Sequence, residues 1–312
     1  MKAEEPLLAG VELGGTKCVC LIGTGPGDIR AQTSLATGND PGATLERIDR
    51  ILGEWQAVHG RVHALGIASF GPLNLSRGSP TYGFITSTVK PGWSHTDVVG
   101  RLTRDRPVCV GFDTDVNGAA LAEQRWGAAR GLGEFAYVTV GTGVGVGLVV
   151  RGQTVFGCNH PELGHVRVAR APGDVWPGIC RYHLDCVEGL ASGPAIAARA
   201  GLPPPEIPSD SPVWELAAHA LGQLLHTVVL ATAPRRIFVG GGVMEARPGL
   251  LIQVRRRLRE SLNGYLGLDE LTEGIDRYVV PPGLGPLAGP LGALALAADA
   301  CLADPRATLS AR

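Results

Sequence analysis

Cys180, His183 and Cys186 are spaced C-x2-H-x2-C, and His165 lies upstream in the segment Glu162-Leu163-Gly164-His165. Two thiolates and two imidazoles are a donor set that suits Zn²⁺. Four protein ligands leave no open coordination position, so such an ion would be structural. Glu162 and Glu188 each lie within three residues of an expected ligand. A metal there would hold both carboxylates in place, which a site for a polar substrate requires.

A second group of chemical residues is Asp113-Thr114-Asp115-Val116-Asn117. A carboxylate here could assist a hydroxyl nucleophile as general base, and either aspartate could instead cap the helix that follows. In an extended strand Asp113 and Asp115 would share a face, so spacing alone does not separate them. Two glycine-rich runs could meet phosphate. Glu12-Leu13-Gly14-Gly15-Thr16-Lys17 offers bare amides, a hydroxyl, an ammonium and a carboxylate, a set fit for a phosphate and its metal ion. A plain hairpin turn accounts for the same residues. Gly141-Thr142-Gly143-Val144-Gly145-Val146-Gly147 superficially matches a dinucleotide fingerprint, but that motif needs a helix after the glycines. Here a strand follows, so the run reads as hairpin amides beneath phosphate groups. Between Tyr82 and Trp93, the hydroxyls of Thr86, Ser87 and Thr88 are candidate sugar contacts, or simply a Ser/Thr-rich loop.

The elements that must position these groups are legible in outline. Leu7–Leu13 and Cys18–Ile22 read as two strands of a hairpin around Gly14-Gly15. Residues 43–58 carry Leu45, Ile48, Ile51, Leu52 and Trp55 at helical spacing. Residues 65–70, 108–112, 135–140, 148–150 and 236–239 read as strands. The first of these ends at Gly71-Pro72 and the last at Gly240-Gly241-Gly242. Asp113 and Asp115 thus fall between a strand and the helical GAALAEQRWGAA, the usual ligand edge of an α/β sheet. Leu190-Ala191-Ser192-Gly193-Pro194 opens a helix to Ala200. Helices over 213–232, from about Pro248, and over 286–302 complete the chain. His219 and His226 read as ordinary helix residues, and Arg255-Arg256-Arg257 as a solvated face.

The chain has 312 residues, 45 of them glycine, and a formal net charge of −1. The length suggests about two domains, and the charge argues against a nucleic-acid partner. Seven cysteines without framework spacing fit reduced thiols in the cytoplasm. The acidic start MKAEEPLLAG does not read as a signal peptide, and no apolar run has the length of a membrane span.

Taken together, several separated segments resemble the ROK family of sugar kinases, and most of all its bacterial fructokinase branch. They are GVELGGTK at 10–17, GIASFGPLN at 66–74, DTDVNGAALAE at 113–123 and VTVGTGVGVG at 138–147. PELGH at 161–165, CRYHLDCVEGLASG at 180–193 and VGGG at 239–242 complete the set. The resemblance implies a two-domain actin-like (ribonuclease H-like) α/β fold with an inter-domain cleft that closes on the sugar. The expected division is 1–118 plus 288–312 against 119–287, the latter carrying the zinc knuckle. It further implies ATP-dependent phosphorylation of D-fructose on its 6-hydroxyl, with Mg²⁺ on the phosphates, Glu12 reaching that ion through water, and a structural Zn²⁺. Asp115 falls on the family's general base. Glu162, His165 and Glu188 fall on residues that contact sugar hydroxyls, and Gly71 and Thr88 complete the expected sugar-binding set. Gly14, Gly15, Thr16, Lys17, Gly141, Thr142 and Gly143 correspond to the phosphate loops, and Gly193, Gly240, Gly241 and Gly242 to the rest of the nucleotide site. The zinc ligands are His165, Cys180, His183 and Cys186. Glu12 stands where many members have Asp, His183 where many have Cys, and Val89 where glucose-specific members have Asn. These departures point to fructose. A broader mannose- or glucose-phosphorylating hexokinase is the alternative. A sugar-responsive repressor is a second alternative, but the first phosphate loop begins too near Met1 for a preceding DNA-binding module. A cytoplasmic homodimer, with no nucleic-acid or membrane partner, is the expected assembly.

Overall fold

The computed structural model describes residues 5–303, which fall into two compact units. One holds the chain as far as Arg130, the excursion Phe156–His160 and the chain from Pro286; the other holds Gly131–Val155 and Pro161–Gly285. The division therefore differs from the expected cut at 118. The helix that begins at Asp115 packs along its length on the C-terminal helix, and a boundary at 118 would split it.

The first unit is built from β1 (Leu8–Leu13), β2 (Lys17–Gly25), β3 (Asp28–Ala36), α1 (Pro41–His59), β4 (Ala64–Ser69), β5 (Phe84–Ile85), β6 (Thr96–Asp97), α2 (Val98–Thr103), β7 (Cys109–Thr114) and α3 (Asp115–Trp126), with the C-terminal helix Ala288–Leu302. Its main sheet has the order β3-β2-β1-β4-β7. β1, β2 and β3 pair antiparallel, whereas β4 lies parallel to β1 and β7 parallel to β4. All six residues of β4 are buried, as a central parallel strand covered on both faces requires. On one face α1 seats Leu45, Ile48 and Leu52, with Trp93 also fully buried. Asp40 caps α1 by accepting from the amide of Ala43 at 3.1 Å.

The other face is floored by glycine. Gly10, Gly66 and Gly111 are register partners across β1, β4 and β7. The backbone of the C-terminal helix lies directly on them. A Cβ at Gly66 would overlap the Ala293 carbonyl oxygen and stand 2.6 Å from the Ala297 nitrogen, and one at Gly111 would meet Leu296. Gly118 of α3 and Gly292 of the C-terminal helix are apposed in the same way, with 3.5 Å between the site of a Gly118 Cβ and the Gly292 Cα. Small residues on both surfaces allow backbone-to-backbone approach, which larger side chains would hold apart.

The second unit runs β8 (Phe135–Val140), β9 (Val144–Val150), β10 (Gln153–Thr154), α4 (Val187–Ala191), α5 (Gly193–Ala200), α6 (Pro212–Thr232), β11 (Ile237–Gly240), α7 (Gly242–Ala246), α8 (Gly249–Leu262), α9 (Ile275–Tyr278) and β12 (Val279–Val280). Its sheet order is β10-β9-β8-β11-β12. The hairpin strands pair antiparallel, and β11 and β12 join in parallel. The topology of the first sheet is thus repeated strand for strand, as the expected actin-like fold requires. Its core gathers the inner face of α6, from Val213 to Val229, with Val138, Ile237, Val254 and Leu258.

Four expectations are corrected. β3 has no counterpart in the sequence reading. Gly145 and Gly147 lie inside β9, so the glycine turn is confined to Gly141–Gly143. Two helices, Pro212–Thr232 and Gly285–Leu302, are long and apolar enough to cross a membrane by length and composition. Each buries half or more of that apolar window inside the core of its own unit. Arg255, Arg256 and Arg257 are not simply solvated. Arg255 pairs with Asp276 and donates to the Val279 carbonyl at 2.8 Å, while Arg256 and Arg257 share Glu215 and Glu260.

Candidate active site

In the first unit, β1, β4 and β7 end side by side, because Leu13, Ser69 and Thr114 are register partners. The carboxyl edge of the sheet therefore carries three expected site segments at once: Gly14–Lys17, Gly71 and Asp115. The first turn is closed by the Gly14 amide donating to the Lys17 carbonyl at 3.1 Å, while Thr16 and Lys17 are exposed. Thr37 supports the turn from behind. Its hydroxyl donates to the Gly14 carbonyl at 2.7 Å and its amide to the Thr16 carbonyl at 2.9 Å. Lys90 in turn donates to the Thr37 carbonyl at 2.8 Å.

The two aspartates separate clearly. The strand ends at Thr114, whose hydroxyl caps α3 by accepting from the Asn117 amide at 3.2 Å. Asp113 therefore lies in β7 and Asp115 in the first turn of α3, so they do not share a face as an extended strand would have it. Asp113 is buried, and its Oδ1 accepts from the Thr114 amide at 2.7 Å and from Asn117 Nδ2 at 2.8 Å. The Oδ1 of half-buried Asp115 accepts from the next amide, Val116, at 2.8 Å. Burial pushes the Asp115 carboxyl up to about 6, with a smaller push from Asp113, against the backbone hydrogen bonds that favour its charge. Glu12, at the end of β1, is pushed up to about 7 by burial and then by Asp115, with Lys17 opposing. Gly289, at the start of the C-terminal helix, leaves the room that the Glu12 carboxylate fills. Two carboxylates with raised, neighbouring titrations are a feature of acid–base and cation sites.

Gly71 and Thr88 are placed by local bonds. The Leu73 amide donates to His160 Nε2 at 2.9 Å, and the His160 ring stands 3.4 Å from the position of a Gly71 Cβ. Thr86 donates through both amide and hydroxyl to the Pro72 carbonyl, at 2.8 and 3.0 Å. The Thr88 hydroxyl accepts from the Lys90 amide at 3.3 Å. Val89 is 52% exposed. His160, Thr37 and Lys90 carry no functional role in the sequence reading. Each acts across a long separation in the chain, and no local pattern marks them.

In the second unit, the parallel pairing of β8 and β11 brings Gly141–Gly143 and Gly240–Gly242 to adjacent strand ends. The Gly141 amide donates to the Gly143 carbonyl at 2.9 Å. Neither Gly141 nor Gly242 has any atom within 4 Å of where a Cβ would sit, so backbone there is open to a ligand. Thr142 is exposed. Gly241 has φ 95°, and a Cβ there would stand 2.6 Å from the Val140 carbonyl oxygen. Glycine is required on both counts. The Gly193 amide donates to the Gly141 carbonyl at 2.8 Å, which adds the start of α5 to the same edge. All of the expected nucleotide glycines of this unit are thus gathered.

The metal set also converges. One donor atom from each of His165, Cys180, His183 and Cys186 lies within 4.8 Å of all the others. Cys180 Sγ is 3.6 Å from His165 Nδ1 and 3.7 Å from His183 Nδ1, and Cys186 Sγ is 3.5 Å from His165 Nδ1. A tetrahedral Zn²⁺ with Zn–S of ~2.3 Å and Zn–N of ~2.0 Å spaces sulfur from nitrogen by about 3.5 Å. The residues therefore fit that ion in type, number and spacing. Burial raises the Cys186 thiol, and a bound cation would favour the thiolate that a ligand set needs. Two isolated bridges, Arg167 to Cys186 and Cys180 to Leu184, fold the knuckle. His165 sits at the end of a 3-10 turn, Leu163–His165, that exposed Glu162 begins. Glu188 lies in the first turn of α4, with Oε1 3.8 Å from His165 Nε2 and Oε2 accepting from the Val144 amide at 3.1 Å.

Comparisons with known proteins follow the same lines. The ROK family model matches residues 8–300. The fructokinase of Pediococcus pentosaceus is 39% identical over 291 residues, 93% of this chain and 97% of that one. The fructokinase of Zymomonas mobilis is 46% identical over 239 residues, 75% of this chain and 77% of that one. Among solved structures, a ROK hexokinase from Thermus thermophilus superposes with a TM-score of 0.71 at 27% identity, covering 94% of this chain and 98% of that one.

Proposed function

This chain belongs to the ROK family, and on that premise we propose that it is an ATP-dependent hexose kinase that phosphorylates D-fructose on its 6-hydroxyl. The observation that carries the reading is the division between the two aspartates. Asp113 is consumed by Thr114 and Asn117, whereas Asp115 stands at a helix start with its titration raised to about 6. A carboxylate that is ionised at neutral pH, yet basic enough to take a proton, suits the deprotonation of a sugar hydroxyl. Phosphoryl transfer asks little else of a protein beyond positioning and charge stabilisation. Gly14, Gly15, Thr16 and Lys17 in one unit, and Gly141, Thr142, Gly143, Gly193, Gly240, Gly241 and Gly242 in the other, are the nucleotide-side positions; Gly141 and Gly242 offer open backbone, and Lys17 the ammonium that phosphates require. Glu12 would hold Mg²⁺ through water, and that ion supplies charge neutralisation on the phosphates. Glu162, His165, Glu188, Thr88 and Gly71 are the sugar-side positions. His165, Cys180, His183 and Cys186 would hold a structural Zn²⁺, which supplies cross-linking and no open coordination position.

The acceptor is fructose because curated relatives that cover most of this chain are fructokinases and because Val89 offers no amide to a glucose hydroxyl. The test is a panel of hexoses with ATP, read by ADP release. Fructose should exceed glucose at least about tenfold in kcat/KM, which needs only ~1.4 kcal/mol of differential transition-state binding. Glucose turned over equally well would overturn the acceptor. No ADP release with any hexose would overturn the kinase.

A further inference from the structure

Val144 is the first residue of β9 and the downstream anchor of the Gly141–Gly143 turn. Both of its backbone groups face the metal knuckle. Its amide donates to Glu188 Oε2 at 3.1 Å. Its carbonyl is packed against Gly164 so closely that a Cβ there would overlap the Val144 oxygen. Glu188 also lies against the turn itself, because a Cβ at Gly143 would stand 2.5 Å from Oε2. The upstream side of the turn is held by the Gly193 amide on the Gly141 carbonyl at 2.8 Å. Each holding residue is tied to an expected zinc ligand. Gly164 precedes His165, Glu188 follows Cys186 by two residues and approaches His165 Nε2 at 3.8 Å, and the Ser192 amide donates to the Glu188 carbonyl at 3.1 Å just before Gly193.

We propose that the metal knuckle is a brace for the nucleotide turn and that Glu188 is the positioning residue through which it acts. The inference rests on the assignment of Gly141–Gly143 to nucleotide phosphates. A glycine turn that loses its backbone anchor samples more conformations, and ordering it again opposes ligand binding. One Glu188 oxygen on Val144 and the other beside His165 link the turn to the metal site. Zinc occupancy therefore acts on nucleotide affinity as well as on stability, by a coupling between two distinct sites.

The experiment compares the wild type with Glu188→Ala and Glu188→Gln, each with its metal content measured, and the wild type after zinc is stripped by a chelator. Two readouts are taken without catalysis: hydrogen exchange at the Val144 amide, and calorimetric binding of the non-hydrolysable analogue AMPPNP with Mg²⁺ in the absence of sugar. Glu188→Ala should speed Val144 exchange and weaken AMPPNP at least about fivefold. Glu188→Gln, whose amide oxygen still accepts from Val144, should stay within about twofold of the wild type, since one acceptor is conserved. Zinc removal should weaken AMPPNP in the wild type by a similar factor and add little in Glu188→Ala, because both perturbations cut the same link. If Val144 exchange and AMPPNP affinity are unchanged in both Glu188→Ala and zinc-free wild type, the brace is overturned; a selective loss of fructose affinity would then leave Glu188 as a sugar contact and the kinase reading intact. If the zinc-loaded wild type binds no AMPPNP at all, the nucleotide reading fails instead, while Val144 exchange still decides whether the knuckle holds the turn.

Discussion

Asp115→Asn should move activity and stability in opposite directions. The substitution keeps the shape of the side chain and its bond from the Val116 amide, and removes the basic oxygen. General base catalysis contributes on the order of 10²–10⁴ in rate, so kcat should fall by that factor, equivalent to about 2.7–5.5 kcal/mol of activation free energy. With its titration at about 6, the wild-type group is ~97% ionised at pH 7.5 and ~10% at pH 5. The kcat/KM for fructose should therefore show an acid limb near pH 6, and the variant should lack it. For stability, the folded titration is raised from 3.8 to about 6. The group's contribution is fully present below pH 3.8, and it is lost as pH rises through 6. Replacing it by a neutral amide should stabilise the protein by about 3 kcal/mol at pH 8 and by roughly half that at pH 5. Asp113→Asn is the control. It disturbs a buried acceptor of two hydrogen bonds, so it should lose about 1 kcal/mol of stability and keep most of kcat. The assays are steady-state kinetics across pH and urea unfolding at pH 5 and 8. An Asp113→Asn enzyme that is dead beside an active Asp115→Asn, or an Asp115→Asn protein less stable than the wild type at pH 8, would refute the reasoning.

Three further outcomes are expected. Purified protein should carry about one Zn²⁺ per chain, and Cys180→Ser should lower metal content and nucleotide affinity together; full occupancy in that variant by elemental analysis would remove Cys180 from the ligand set. Gly66→Ala must displace helix backbone on one side or strand backbone on the other, at a cost of about 3 kcal/mol. Gly27, with nothing within 4 Å of a Cβ, should tolerate the same change, and equal unfolding midpoints for the two variants would count against the glycine floor. Because Glu12 titrates at about 7, binding of Mg²⁺ with AMPPNP at pH 7 should release ~0.5 proton from it. Calorimetry in buffers of different ionisation enthalpy should detect that release in the wild type, and a Glu12→Gln variant that released as much would exclude Glu12 as its source.

How much of this was legible in the sequence depended on whether the physics was local. The helices with apolar residues three and four apart, the hairpin around Gly14-Gly15 and the convergence of four zinc-type ligands all follow from short-range pattern, and the structure has them. β3 was missed because its sequence, DIRAQTSLA, has no apolar run; it is an edge strand whose outer residues are solvated. Gly145 and Gly147 were assigned to a turn because alternating glycine mimics one, yet pairing with Thr139 and Tyr137 of β8 draws them into a strand. The two aspartates could not be told apart because the answer turns on a single residue. Thr114 ends the strand and caps the helix, and that decision sends Asp113 inward to Asn117 and leaves Asp115 at the helix start. Nor could the bond between Glu188 and Val144 be read, since the two lie 44 residues apart. The boundary lies at Arg130 rather than at 118 for a similar reason: α3, whose Gly118 meets Gly292, continues to Trp126 on the C-terminal helix, a contact that spans most of the chain.

That last contact has a consequence for biosynthesis. The helix Ala288–Leu302 is the lid on the glycine floor of β1, β4 and β7, and it is made long after those strands. Residues up to Arg130 leave the ribosome with one face of their sheet uncovered, while the Gly131–Gly285 region can assemble its own core in the meantime. The unit that is synthesised first is thus completed last. Until the helix arrives, a groove shaped for alanine and leucine stays open to any apolar segment that reaches it, which makes this interval the one in which a nascent chain most needs a chaperone.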